Sequence, residues 1–251
     1  MTLEELLECA HLAAEAGAKE LRSRFRGDLQ ISTKSSVADY VTDADLASET
    51  AVRATLARLR PADSITGEEF DAKLQDGARY RWSIDPLDGT VNFARGLANF
   101  ATSVAAQDLE TGSWVVGAII APELGDTYLA SRGGGSWRIR DGQRTQLFGP
   151  PAEREARILA TGFSYSAEKR AEEFATLIKL MPDYVDMRRF GSAALDICHV
   201  AEGTIDTYFQ VDIKEHDWAA AMLIAEEAGL QIKRPTETDD VAWVSREPFS
   251  A

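Results

Sequence analysis

The stretch WSIDPLDGTVNF, residues 82–93, begins as an apolar strand and then changes character. We expect the strand to stop at Asp85, because the proline that follows has a fixed φ and lacks a backbone donor. A second carboxylate, Asp88, comes three residues later, and Gly89-Thr90 offers backbone N–H groups at the start of a short helix. Two carboxylates can bind a hard divalent cation, and helix-start N–H groups can bind an anion. The stretch therefore predicts a place where metal ions and a phosphate meet; the alternative is a surface turn rich in Asp, Pro and Gly.

Two further tracts place a carboxylate at the edge of a predicted regular element. GEEF, residues 67–70, follows a strand-like segment, and HDW, residues 216–218, opens a helical run. A rigid element can aim such a carboxylate at a neighbouring site. Taken alone, each carboxylate is more simply a solvated acid or a helix N-cap.

Three tracts together resemble the inositol monophosphatase family of magnesium-dependent, lithium-sensitive phosphatases: GEEF at 67–70, DPLDGTVNF at 85–93 and DWAAAMLIAEEAG at 217–229. The resemblance extends to KSSVADYVTDADLASE at 34–49, RFGSAA at 189–194 and VAEGTIDTY at 200–208. It spans most of the chain in the family's order. It implies an α/β fold, the layered α-β-α-β-α sandwich of the inositol monophosphatase and fructose-1,6-bisphosphatase type.

The resemblance also implies a metal site. Two Mg²⁺ ions are expected, with a third held more loosely near Glu68, and Mn²⁺ can substitute. The implied ligands are Glu68, Asp85, the backbone carbonyl of Leu87, Asp88 and Asp217. All these donors are oxygens, which hard Mg²⁺ prefers, and the scattered His11, His199 and His216 are not expected to form a ligand set.

The same resemblance implies catalytic and substrate-binding roles. Thr90 and Asp45 are expected to orient and deprotonate the attacking water, with Glu68 assisting, and the N–H groups of Gly89 and Thr90 are expected to bind the phosphate. The implied substrate-binding set is Gly89, Thr90, Gly191, Ser192, Ala193, Gln210 and Asp217. Gln210 stands where these enzymes commonly carry a glutamate, and a neutral amide is a weaker acceptor for a substrate hydroxyl.

Three functions stay open on these residues. The first is a phosphatase of a small polyol phosphate, with myo-inositol monophosphate as the leading substrate. The second keeps the chemistry with another sugar or nucleotide phosphate or with histidinol phosphate, because the region from Val41 to Phe70 also resembles the histidinol-phosphate phosphatases of the superfamily. The third is a regulatory member that binds a protein partner and catalyses weakly.

Hydrophobic periodicity and breakers predict a layered α/β chain. A Thr2–Glu5 capping box opens a long first helix, and a second helix runs from near Thr42 until Pro61 ends it. The later predicted strands lie near 80–84, 101–109, 114–120, 126–130, 136–140, 157–160, 184–188 and 204–209, and the later helices at 168–180, 192–201 and 217–228. Gly149-Pro150-Pro151 predicts a boundary inside one unit of residues 1–251. Its N-terminal lobe is 1–148, its C-terminal lobe is 149–251, and the active site is expected between them.

Composition limits the partners. The 251 residues carry a net charge of −14, which argues against nucleic acid or an anionic membrane. Cys9 and Cys198 are isolated and predict neither a redox pair nor a zinc site. The first residues, MTLEE, have no basic start and no apolar core, so a cytoplasmic protein is expected. The resemblance adds the expectation of a homodimer.

Overall fold

A computed structural model of the chain describes residues 1–27, 31–33 and 40–249. Residues 34–39, which open one of the tracts that resemble the family, lie outside the described residues. Within those ranges, no helix combines the length and the apolar character needed to cross a bilayer.

The helices and strands of the described ranges follow the predicted order. The helices are α1 Leu3–Arg24, α2 Asp43–Leu59, α3 Thr90–Ala94, α4 Ala167–Leu180, α5 Ala193–Ala201 and α6 Glu215–Glu227, with a 3₁₀ turn at Met181–Asp183. The strands are β1 Ile31–Thr33, β2 Tyr40–Thr42, β3 Ser64–Gly67, β4 Tyr80–Asp88, β5 Ala101–Asp108, β6 Ser113–Ala121, β7 Asp126–Ser131, β8 Gly135–Arg140, β9 Gln143–Gln146, β10 Ile158–Thr161, β11 Asp186–Arg188, β12 Thr207–Val211, β13 Gln231–Lys233 and β14 Val241–Ser245.

Two sheets carry the fold in the described part of the chain. A seven-stranded sheet has the order β3-β4-β5-β6-β7-β8-β9 and is antiparallel except for the parallel pair β3 and β4. A five-stranded sheet has the order β11-β10-β12-β14-β13, and β1 pairs only with β2. The chain passes from the first large sheet to the second between residues 146 and 158. The division into lobes at residue 149 stays a prediction.

The helices fill the remaining layers. Leu6 of α1 and Leu56 of α2 pack with Trp82 and Val116 on one face of the seven-stranded sheet. The opposite face shares a core with α5, α6 and the five-stranded sheet, and α4 covers the outer face of that second sheet through Leu177. The layer order is therefore α-β-α-β-α, and the predicted α/β sandwich is confirmed.

Close packing of α6 on the first sheet depends on a glycine in β6. A side chain on Gly117 would place its Cβ 3.0 Å from the Ala220 Cα and 3.1 Å from the Ala220 carbonyl oxygen. The helix backbone thus lies directly on the strand, which leaves little freedom for the position of the α6 N-terminus.

The start of α1 and two turns agree with the local sequence signals. Thr2 and Glu5 form the expected capping box. Asp141-Gly142 makes the hairpin turn between β8 and β9, with φ values of 51° and 74°. The three glycines of residues 133–135 form a turn, and the N–H groups of its first and last residues donate to the Glu227 carboxylate at 3.0 Å.

One local expectation was wrong: β4 does not stop at Asp85. The strand continues to Asp88, and its pairing with β5 shifts register between Asp85, opposite Ser103, and Asp88, opposite Ala101. One extra residue on β4 makes a bulge. The carbonyl of Pro86 points out of the ladder there and accepts hydrogen bonds from Ser48 at 2.8 Å and Thr102 at 3.0 Å. Proline therefore shapes a bulge inside the strand instead of ending it.

Candidate active site

The β4 bulge places two carboxylates at the C-terminal end of this strand in the seven-stranded sheet. Asp85 is 1% exposed and Asp88 is 8% exposed. The Asp85 Oδ1 accepts a hydrogen bond from the Leu87 N–H at 3.0 Å, which holds that side chain along the bulge. Asp85 is thus fixed by local backbone geometry.

The start of α6 brings a third carboxylate to the same place. Asp217 lies in the first turn of α6, and its Oδ2 accepts from the Lys214 N–H at 2.6 Å. One carboxylate oxygen from each of Asp85, Asp88 and Asp217 lies within 4.8 Å of the others. The predicted ligand of the distant tract HDW therefore meets the two predicted ligands of β4.

The loop that carries Glu68 is anchored by a buried glutamate that sequence reasoning overlooked. Glu49 of α2 is fully buried, pairs with Arg53 at 2.7 Å and accepts from the Glu69 N–H at 2.7 Å. A Cβ on Gly67 would lie 2.1 Å from the Glu49 Oε1, so the loop approaches this carboxylate through a glycine. The sequence did carry one signal for Glu49: Arg53 follows it four residues later on the same helix, a spacing that is typical of an ion pair.

His216 joins the cluster, and its role there is one that the sequence left open. One ligand atom from each of Glu68, Asp85 and His216 lies within 4.8 Å of the others. The His216 Nε2 is 3.6 Å from the Asp217 Oδ1. The first turn of α6 therefore supplies a nitrogen and a carboxylate to the same site.

Burial and mutual repulsion disfavour the charged forms of the carboxylates in the cluster. Burial raises the pKa of Asp85 well above its ordinary range, and the charges of Glu68 and Asp88 add to the shift. Burial and the charge of Asp217 raise the pKa of Asp88 to about 7, and burial raises the pKa of Asp217. A divalent cation would replace this repulsion by attraction. The buried oxygen donors fit a hard divalent ion, and the cluster can hold a metal.

Asp88 also connects β4 to α5. Its carboxylate accepts from the Ser192 hydroxyl at 2.6 Å, the Ala193 N–H at 3.2 Å and the Ala194 N–H at 2.7 Å, at the start of α5. Ser192 is 1% exposed and also caps α5 by accepting from the Leu195 N–H. The segment from Gly191 to Ala193 thus lies beside the carboxylates, and its contact with a substrate stays a prediction.

Gly89 lies where the segment that follows β4 meets the segment of Gly191 that precedes α5. It has a φ of 96°, and a Cβ there would lie 2.8 Å from the Asn99 carbonyl oxygen and 3.3 Å from that of Gly191. Only glycine is free of both the steric and the conformational penalty at this position. α3 begins directly after it, beside the carboxylates.

Thr90 and Asp45, predicted as a pair from distant tracts, are in contact. The Thr90 hydroxyl can donate to the Asp45 Oδ1 at 3.1 Å or to the Leu87 carbonyl oxygen at 3.0 Å. Asp45 is fully buried, and burial raises its pKa to about 6 although hydrogen bonds from Thr42 lower it. The contact is established, and the catalytic roles of the two residues stay predictions.

Gln210 lies on β12, and its side chain is already engaged. Its Oε1 accepts from the Tyr208 hydroxyl at 2.6 Å. A Cβ on Gly162 would lie 1.9 Å from the same oxygen, so glycine makes room for the amide. The proposed contact of Gln210 with a substrate hydroxyl stays a prediction, and only its NH₂ group is left to donate.

The chain is similar in sequence to known proteins over most of its length. The sequence model of the inositol monophosphatase family matches residues 2–247. Inositol-1-monophosphatase of Mycobacterium leprae is 39% identical over 217 residues, which cover 84% of this chain and 74% of the relative. Nus factor SuhB of Pasteurella multocida is 39% identical over 209 residues, which cover 81% of this chain and 74% of the relative.

The fold is similar to a solved structure as well. The crystal structure of the extragenic suppressor protein suhB from Bartonella henselae matches with a TM-score of 0.84 at 27% identity. The match covers 97% of this chain and 93% of that one. The arrangement of the layers is therefore shared along nearly the whole chain.

We predict that Glu49→Gln weakens Mg²⁺ binding by roughly 10- to 100-fold, because the carboxylate that holds the loop around Glu68 loses its charge. Isothermal titration calorimetry of the metal-free protein measures this affinity. Glu20→Gln is a matched control, since Glu20 makes an i,i+4 ion pair with Arg24 on α1. Equal Mg²⁺ affinities in the two variants would show that Glu49 does not position Glu68.

We predict that the stabilisation by Mg²⁺ grows as pH rises from about 5 to about 8. The raised pKa values of Asp45 and Asp88 mean that the folded, metal-free protein keeps protons that the unfolded chain has lost, so their contribution to stability disappears as pH rises through about 6 to 7. Mg²⁺ competes with the proton of Asp88, which belongs to the carboxylate cluster. At neutral pH and 100 times its dissociation constant it should add about 2.7 kcal/mol, a Tm increase of roughly 5–10 °C.

Thermal unfolding with EDTA and with Mg²⁺ at each pH measures this difference. Titratable groups far from the site do not contribute to the Tm difference between the two samples, because they titrate identically in both. A Tm difference that stays constant or shrinks towards pH 8 would contradict the assignment of Asp88 to a cation site.

Proposed function

This chain belongs to the inositol monophosphatase family, and from that membership we propose that it is a metal-dependent phosphomonoesterase of small polyol phosphates. The observation that carries the proposal is the convergence of three carboxylates from two distant tracts, Asp85, Asp88 and Asp217, beside the Thr90–Asp45 pair. Such a set combines cation binding with a hydroxyl that can act on a water molecule.

In this proposal, two Mg²⁺ ions would be held by Glu68, Asp85, the Leu87 carbonyl, Asp88 and Asp217, with Mn²⁺ as a substitute and a third ion near Glu68. When bound, the ions would neutralise the ester oxygens and lower the pKa of the attacking water. All other steps belong to side chains and backbone groups of the chain. The proposed site lies between an N-terminal lobe, 1–148, and a C-terminal lobe, 149–251, and the hydrogen bonds of Asp88 to the start of α5 support that position.

The proposed proton path runs from water to Thr90 and from Thr90 to Asp45. The hydroxyl that donates to Asp45 has lone pairs free to accept a proton from an incoming water. Asp45 is a better base than an ordinary carboxylate, because burial raises its pKa to about 6. The backbone N–H groups of Gly89 and Thr90 would hold the phosphate during in-line attack, with Glu68 assisting the water.

The alcohol half of the ester would face Gly191, Ser192, Ala193 and Gln210. The leading substrate is myo-inositol monophosphate, supported by the relative named an inositol-1-monophosphatase. Histidinol phosphate and other sugar or nucleotide phosphates are the alternatives. Lithium sensitivity, a homodimer, a cytoplasmic location and the absence of a nucleic-acid partner complete the proposal, the last supported by the net charge of −14.

A second candidate is a regulatory role through a protein partner. It is favoured by one observation, the 39% identity to a relative that is named a Nus factor. Phosphate release from inositol 1-phosphate with and without Mg²⁺ separates the two. Mg²⁺-dependent turnover supports the phosphatase, and its absence from a folded, Mg²⁺-loaded protein would favour the regulatory role.

We predict that Thr90→Ala lowers kcat about 100-fold or more and changes KM much less, since the hydroxyl acts on water and not on the bound ester. Steady-state kinetics with inositol 1-phosphate measures both constants. Thr176→Ala is the control, because the Thr176 hydroxyl bonds only to a carbonyl of its own helix on the exposed face of α4. Turnover within threefold of wild type would remove Thr90 from the proton path.

We predict that kcat/KM is higher for inositol 1-phosphate than for glycerol 2-phosphate, fructose 1,6-bisphosphate or histidinol phosphate, measured side by side at saturating Mg²⁺. The NH₂ group of Gln210 can donate to a ring hydroxyl, which a cationic amino alcohol matches poorly. A kcat/KM for histidinol phosphate well above that for inositol 1-phosphate would replace the leading substrate by the alternative.

A further inference from the structure

We infer that His216 is a metal ligand, and that with Glu68 and Asp85 it makes one ion position selective for a transition-metal ion such as Mn²⁺ over Mg²⁺. The inference rests on the proposed function only in taking the cluster as a metal site. It assigns to that site a nitrogen donor that oxygen ligands alone do not provide.

The first support is the distance among the three donors. Ligand atoms of Glu68, Asp85 and His216 lie within 4.8 Å of one another. Ion-to-ligand distances near 2.1 Å put any two ligands of one ion at most about 4.2 Å apart. Three ligands spaced evenly about one ion lie about 3.6 Å apart, so a shift of each atom by up to about 0.7 Å, within the reach of small side-chain rotations, brings all three into contact with a single ion.

The second support is the anchoring of the residues on both sides of His216. Glu215 makes a bidentate ion pair with Arg81 of β4, at 2.5 and 2.9 Å, and Asp217 accepts from the Lys214 N–H. Arg81 is itself held by the Gln107 side chain at 2.7 Å. The first turn of α6 is thus tied to the strand that carries Asp85, and His216 has little freedom to leave the cluster.

The contact with Asp217 does not account for the position of His216. The separation of 3.6 Å between Nε2 and the Asp217 Oδ1 is too long for a good hydrogen bond. The imidazole is only 20% exposed, and one of its ring nitrogens lies within 4.8 Å of ligand atoms of Glu68 and Asp85. A nitrogen that faces carboxylates without a short bond to any of them is well placed for a shared cation.

The donor type then determines which ion is favoured. Carboxylate oxygens alone suit Mg²⁺, whereas imidazole nitrogen favours first-row transition ions, whose affinity exceeds that of Mg²⁺ at mixed nitrogen and oxygen sites. Replacing the nitrogen by an amide oxygen should therefore weaken Mn²⁺ binding more than Mg²⁺ binding. His216→Gln makes this change in a side chain of similar size.

Pulsed electron paramagnetic resonance of the metal-free full chain loaded with Mn²⁺ alone tests the inference directly. We expect echo modulation from a coordinated ¹⁴N nucleus, replaced by a ¹⁵N pattern when histidine is isotopically labelled. His216→Gln should abolish the modulation, and His11→Gln, at a surface position on α1, should keep it. Absence of nitrogen modulation in the wild type, or its persistence in His216→Gln, would overturn the inference.

Calorimetric titrations provide the second measurement. His216→Gln should lower Mn²⁺ affinity at least about tenfold and Mg²⁺ affinity by a clearly smaller factor. Equal losses for both ions would overturn the selectivity. If His216→Gln does not fold, the isotope effect measured in His11→Gln still shows whether His199 or His216 is a ligand, and of these two His216 lies at the carboxylates. Neither readout needs turnover, so an active enzyme without nitrogen modulation refutes this inference alone, and nitrogen modulation without phosphate release refutes only the proposed function.

Discussion

Repulsion among buried carboxylates is the constraint around which this fold is organised. Asp85 and Asp88 are brought into contact range with Asp217 by elements that are distant in sequence, and their pKa values are raised by burial and by one another. Bringing these charges together without a cation destabilises the folded state at neutral pH. Without a cation, hydrogen bonds and packing contacts from the rest of the fold must offset this repulsion. This explains why each carboxylate is anchored by such contacts.

The anchoring contacts come from every layer that touches the site. Hydrogen bonds from the start of α5 fix Asp88, and buried Glu49 of α2 fixes the loop of Glu68. The Arg81–Glu215 ion pair ties α6 to β4, and the contact of Gly117 with Ala220 lays that helix on the sheet. Outer contacts of this kind determine ligand geometry as much as the ligands do. The site is therefore a product of the packing of the sandwich.

Several residues serve the helices and the site together. Asp45 completes the capping box of α2 with one oxygen and accepts from Thr90 with the other. Asp217 accepts from the backbone before α6 while facing the cluster, and Ser192 caps α5 while donating to Asp88. From the sequence, a helix cap and a functional carboxylate were competing interpretations of such residues. The structure shows that one side chain can satisfy both, because a carboxylate or hydroxyl has more than one bonding direction.

The sequence by itself determined the α/β class, the helices and most strands, since periodicity, capping residues and Gly or Pro breakers act locally. It also identified Asp85, Asp88, Glu68 and Asp217 as candidates, because their tracts resemble a known family. Tertiary structure alone decided the β4 bulge at Pro86, the support of the Glu68 loop by Glu49, and the place of His216 among the carboxylates. Each of these depends on contacts between elements far apart in the chain, and local sequence patterns carry no information on which side chains such packing brings within a few ångströms.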